Sequence, residues 1–332
     1  MTDHTTGWQS GWNAVGVPQP GGIPLRPLGV GDILNGAVTA LRRNPGATVG
    51  LAAIVFAIAG VISTTATLIV TRHGPGTQGS MLGWSVGISA LPSLIAQVIL
   101  TGILTAVIGR GMLGERAGIG QAWQLVKGRL PAVLGVTLLT GLILVAMWIP
   151  WAVILAALIA AHLPALAAIF GILGFLATAV LAIAAWIRLS LAAPVVVLER
   201  RQPRAALRRS WQLVRRSTWR LLGIYLLTVL VVIVAQVILE VPFEIARFLV
   251  SGGFTGSGPA AGVIIGAVGG IVVGAITRPL LAGVTVLIYV DLRMRREGLD
   301  LIVRGAPAGQ RLSGEAVDRL WREPAAGSPV LR

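Results

Sequence analysis

Two arginines stand where an apolar chain least tolerates charge. Arg188 opens RLSLAAPVVVL and Arg278 opens RPLLAGVTVLI, so the two hold matching places in separate hydrophobic runs. A guanidinium inside hydrocarbon costs at least ~2.5–3.5 kcal/mol, which makes each a functional candidate. Its planar fork of donors suits a phosphate or carboxylate gripped in two places. Two readings stand side by side. Either the pair lines a path for an anionic solute or lipid, or each side chain snorkels to the nearer headgroups, which its run is long enough to reach. The remaining inventory is thin. Histidine occurs only at 4, 73 and 162, cysteine is absent, and HExxH, GxSxG and GxxxxGK[ST] do not occur. The only paired carboxylates are Glu240 and Glu244, one helical turn apart, with Arg247 three residues further on. That spacing could hold a cation or assist hydrolysis, and it equally makes an ion pair at a helix end. No catalytic residue, metal site or cofactor is assigned.

A second set of residues suits a surface. Residues 204–228 read RAALRRSWQLVRRSTWRLLGIYLLT. Leu207, Ser210, Trp211 and Val214 fall on one helical face, with Arg204, Arg208, Arg209, Arg215 and Arg216 to its sides. Aligning Trp123 with Trp211 lays QAWQLVKGRLPAVLGVTLLT on RSWQLVRRSTWRLLGIYLLT, with WQLV, one glycine and LLT in register and Lys127 in the basic part. A fainter copy, GAVTALRRNPGATVG, carries Arg42 and Arg43 at nearly even spacing. Three copies of a basic helix followed by apolar sequence form an internal repeat. Such helices lie in a bilayer interface with Trp at headgroup depth and arginines towards anionic lipid headgroups, or else pack on the rest of the protein.

The elements that position these residues follow from composition. Of 332 residues 55% are hydrophobic and 12% charged, and the mean hydropathy is +0.84. Soluble domains carry about 25% charge, so the chain reads as an integral membrane protein. Apolar runs at 47–71, 82–109, 131–160, 164–198, 219–249 and 261–290 each reach the ~20 residues needed to cross hydrocarbon. A net charge of +15 would suggest nucleic acid in a soluble chain. Here all basic residues but Arg72, Arg247 and Arg278 fall on one side of the six runs, so nucleic acid is not a partner. The positive-inside rule then puts both termini in the cytoplasm of a bacterial plasma membrane. Arginine outnumbers lysine 26 to one, as in GC-rich bacterial genomes.

The predicted fold is therefore an all-α membrane protein. Six transmembrane helices form three parallel two-helix repeats (about 31–115, 116–203 and 204–291), each preceded by a basic amphipathic interfacial helix. Two crossings per repeat keep successive copies in one orientation. Residues 1–24, rich in Gly, Pro and polar side chains around Trp8 and Trp12, are expected to be a disordered tail, 25–305 the membrane domain, and 306–332 a flexible tail. Asp32 is expected to N-cap the first helix, Gln97 to bond a neighbouring helix, and 289–305 to form a charged helix after the sixth span.

The leading segment IPLRPLGVGDILNGAVTALRRNP, the repeated WQLV stretch and the closing LIYVDLRMRREGLDL resemble the actinobacterial integral membrane proteins similar to the membrane domain of glycerophosphodiester phosphodiesterases. The resemblance spans roughly residues 23–301. It implies a six-span helical domain of undetermined molecular role, fused in some relatives to a phosphodiesterase domain that has no counterpart here. The expected function is a non-catalytic, lipid-associated scaffold or accessory module, with protein partners or a second copy possible. The alternative is a transporter of an anionic solute or lipid that uses Arg188 and Arg278.

Overall fold

The computed structural model describes residues 28–73, 78–111, 119–251, 260–298 and Trp321, and among these every regular element is a helix. The terminal tails, His4, Trp8, Trp12 and most of 299–332 lie outside the described residues. The order is α1 (Val30–Arg43), a π-helical lead-in (Gly46–Gly50) to α2 (Leu51–His73), α3 (Gln78–Gly111), α4 (Ile119–Lys127), α5 (Leu130–Ala160), α6 (Pro164–Leu189), α7 (Ala192–Leu198), α8 (Pro203–Val214), α9 (Thr218–Ser251) and α10 (Ala260–Glu297). Six segments are long and apolar enough to cross a bilayer, which makes this a multi-pass membrane protein. A short helix precedes each long pair: α1 before α2 and α3, α4 before α5 and α6, α8 before α9 and α10.

Several local expectations are corrected. The fourth run breaks after Leu189, and two turn residues separate α6 from the short α7. The sixth does not stop where charge begins, for α10 runs unbroken to Glu297 and ends at Gly298, whose φ of 64° is the left-handed C-terminal stop glycine adopts at little cost. Asp32 sits inside α1, not at its cap. It accepts the backbone N–H of Gly29 at 3.0 Å, the half of a capping box that a glycine cap leaves possible. Gln97 donates to Thr101 of its own helix at 3.4 Å, one turn on.

Two kinds of packing divide the molecule. α10 packs on α9, α2, α1 and α3, and α2 on α3, whereas α5 and α6 pack chiefly on each other and reach the rest through α3, α7, α8 and α9. The buried core gathers at the end where the short helices lie. Leu28, Ile33, Ile108, Val195, Val214, Leu221, Val284 and Val286–Tyr289 all belong to it. Mid-span side chains stay uncovered, as with Leu142 at 65% and Val180 at 66% exposure, because lipid tails are as apolar as leucine and give no hydrophobic reason to bury them. Close approach replaces burial there. A Cβ on Gly269 would stand 2.8 Å from Cβ and Cγ of Phe243, so α9 and α10 meet at a point only glycine permits.

Candidate functional site

The last two turns of α10 carry Tyr289, Asp291, Arg293, Arg295, Arg296 and Glu297, and these residues organise the end of the molecule rich in short helices. Asp291, 1% exposed, accepts from the backbone N–H of Leu28 (2.8 Å), from Arg220 Nη1 (2.6 Å) and from Arg295 Nε (2.9 Å). Both guanidiniums also donate to the Leu28 carbonyl, at 2.7 and 3.1 Å. One carboxylate thus ties the start of the domain to α9 and α10. Around Glu199, on the α7–α8 connection, a second clasp forms. Arg201 Nε donates at 2.7 Å, Arg209 Nε at 3.3 Å and the Tyr289 hydroxyl at 2.9 Å. Glu297 closes the circuit by accepting from Arg209 and from Arg293 Nε at 2.9 Å. Burial alone would lower the pKa of Arg209, yet Glu199 and Glu297 beside it outweigh that and hold it above the ordinary arginine value. Arg293 is almost wholly buried, reaches the Trp321 carbonyl at 3.2 Å and lies 5.8 Å from that ring's centroid.

These bonds divide the arginines into two groups. Arg201, Arg209, Arg220, Arg293 and Arg295 engage the three carboxylates. The surface set of the sequence stays outside this circuit. α8 buries Ala206, Ser210, Leu213 and Val214, which leaves Arg204, Arg208, Arg215 and Arg216 exposed and without a carboxylate partner among the described residues. Trp211 is 39% exposed on the same helix, and Trp219, at the start of α9, 85%. α1 repeats the pattern, with Ile33, Gly36 and Ala37 buried and Arg42 and Arg43 exposed. On α4, Val126 is buried against α3 while Trp123 and Lys127 are exposed. A Cβ on Gly102 would come within 2.7 Å of Val126 Cγ1, which shows how closely α4 seats on α3.

The two intramembrane candidates part company. Arg188, at the end of α6, stacks on Trp211 of α8 with Cζ 4.7 Å from the ring centroid. Its carbonyl accepts from Ser210 Oγ at 2.7 Å, and its Nε is buried with no hydrogen-bond partner among the described residues. Arg278 keeps an exposed place midway along α10, also without a described partner. The principal packing neighbours of α6 do not include α10. On α9, Arg247 pairs with Glu244 at 3.2 Å across one turn, the ion-pair alternative for that spacing, while Glu240 is exposed.

The clasp residues Glu199, Asp291 and Glu297 were not singled out as a site by sequence reasoning. A signal existed: two of only 12 acidic residues directly close apolar runs, Glu199 after VVVL and Asp291 after LIYV, each with arginines following. A carboxylate at such a place needs a cation brought from elsewhere in the fold.

The family described as "Domain of unknown function (DUF7847)" matches residues 28–292 of the chain. No curated protein and no solved structure matches. The matched segment begins at Leu28 and runs to the residue after Asp291, the two partners of the first clasp.

Proposed function

The chain belongs to the DUF7847 family, and we propose that it is a non-catalytic, multi-pass protein of the bacterial plasma membrane that gathers anionic lipid headgroups at the cytoplasmic face, as a scaffold for partners or lipid-linked processes. The observation that carries this reading is the division of the arginines. A buried circuit takes up one set, and Arg204, Arg208, Arg215 and Arg216 remain exposed beside Trp211 and Trp219. Arginine near an anionic leaflet contributes about 1 kcal/mol each, and exposed tryptophans suit the same depth. On this reading α1, α4 and α8 are interfacial helices of three parallel repeats. The asymmetry of basic residues supports the same reading, in which they and both termini lie inside the cell.

Spin-labelled lipids around the full chain in bilayers provide the test. Phosphatidylglycerol should be enriched at the protein surface over phosphatidylcholine, and neutralising the set with Arg204→Gln, Arg208→Gln, Arg215→Gln and Arg216→Gln should remove most of that enrichment. Equal enrichment before and after would sink the proposal. A second reading, transport of an anionic solute, has one foothold. Arg278 has no partner among the described residues and lies about 20 Å along α10 from Asp291, at 1.5 Å per residue. Proteoliposomes in which Arg278→Ala leaves organic-anion uptake unchanged would remove it.

A further inference from the structure

Arg188 is the one candidate that the fold positions with care and then leaves unsatisfied. Ser210 of α8 donates to its carbonyl at 2.7 Å, and Trp211 of α8 lies under its guanidinium at 4.7 Å. The α6 terminus is fixed from the other side too. Tyr225 of α9 donates to Ser190 at 2.9 Å, and its ring lies 5.1 Å from that of Trp186. Although α6, α8 and α9 all hold this turn, the guanidinium has no hydrogen-bond acceptor among the described residues and its Nε is shut off from solvent. The ring face of Trp211 offsets part of the charge but accepts none of the five N–H donors in their plane. Buried donors that end without an acceptor are rare, and a charged one is costly. The closed Nε is out of a ligand's reach, but Arg188 is only half-buried, so the open edge at its Nη atoms is left to take an anion with in-plane oxygens, the geometry a phosphate offers to arginine.

The surroundings indicate what carries that phosphate. Toward the membrane interior, one and two turns along the same face of α6, lie Ala184 and Leu181, the latter 60% exposed. A small residue followed by an open apolar one leaves room for an acyl chain below the headgroup. We infer that Arg188 and Trp211 form a discrete binding site for one anionic phospholipid, its phosphate on the guanidinium and an acyl chain along the Leu181 face of α6. This deepens the lipid reading of the molecule, but it rests on a residue outside the exposed set on α8, so the two can fail separately.

Native mass spectrometry of the full chain, released from bilayers of phosphatidylcholine with a minor share of phosphatidylglycerol, reads the site. The wild-type chain should retain one phosphatidylglycerol. Arg188→Gln should lower its affinity about tenfold, the size of a lost charge-assisted hydrogen bond. The four-arginine variant of α8 should still retain that lipid. Arg188→Lys keeps the charge but not the fork and should fall between, which preserves the comparison if the glutamine variant fails to assemble. Undiminished retention in both Arg188 variants would overturn the site. So would loss of the lipid in the α8 variant alone, or displacement of short-chain phosphatidylglycerol by an equal concentration of inorganic phosphate, which would point to a free-anion site.

Discussion

Asp291 shows how much one residue can hold in this molecule. Its carboxylate is the common acceptor for a backbone N–H 263 residues away and for two guanidiniums, one of them on another helix. Asn at this position keeps the shape but removes the charge, and Arg220 and Arg295 would face each other uncompensated. Breaking a fully buried pair costs ~3–5 kcal/mol. These two guanidiniums are 31% and 39% exposed, which moderates the loss, so Asp291→Asn should cost about 2–3 kcal/mol. Thermal unfolding in neutral lipid would show it as a lower midpoint, and proteolysis should find the segment at Leu28 released first. An unchanged midpoint would mean the clasp is ornamental. Glu244 and Arg247, by contrast, sit at an open helix end, and breaking their pair should change stability by less than about 1 kcal/mol.

The long helices follow lipid rules and the short ones follow water rules. α9 and α10 approach through glycine, and Gly269→Ala should destabilise the pair by about 1–3 kcal/mol, because the atoms it would meet on Phe243 sit at the root of that side chain and cannot swing away. Hydrogen exchange should show the C-terminal half of α9 and the N-terminal half of α10 loosened while α5 and α6 are unaffected. This division also explains what could be read from sequence. Length and unbroken apolar composition identified six spans because a bilayer demands both. The spacing of Leu207, Ser210 and Val214 marked the buried face of α8, although Trp211 turned out to straddle its edge and carry Arg188. The clasps were not legible. Their partners lie as far apart as 267 residues, and no local periodicity records that Leu28 must meet Arg295. Nor does a run of hydrophobic residues reveal that α10 continues past Asp291, since neighbours that satisfy that carboxylate come from α9 and from the segment before α1.

For the whole molecule, packing and charge are concentrated at one end. The buried core, the three clasped carboxylates and the exposed arginines of α1 and α8 all lie there, while the opposite halves of α5, α6 and α9 present open apolar surface. On the proposed reading the spans anchor the protein and the end that holds its charge meets the lipid headgroups. The proposed role therefore depends on which side of the membrane that end faces. Because the chain contains no cysteine, single replacements report without background. Gln202→Cys lies on the exposed α7–α8 connection and His162→Cys on the exposed turn between α5 and α6. In intact cells a membrane-impermeant maleimide should label position 162 and leave position 202 untouched until the membrane is opened. Labelling of position 202 from outside, or of both positions, would contradict the account.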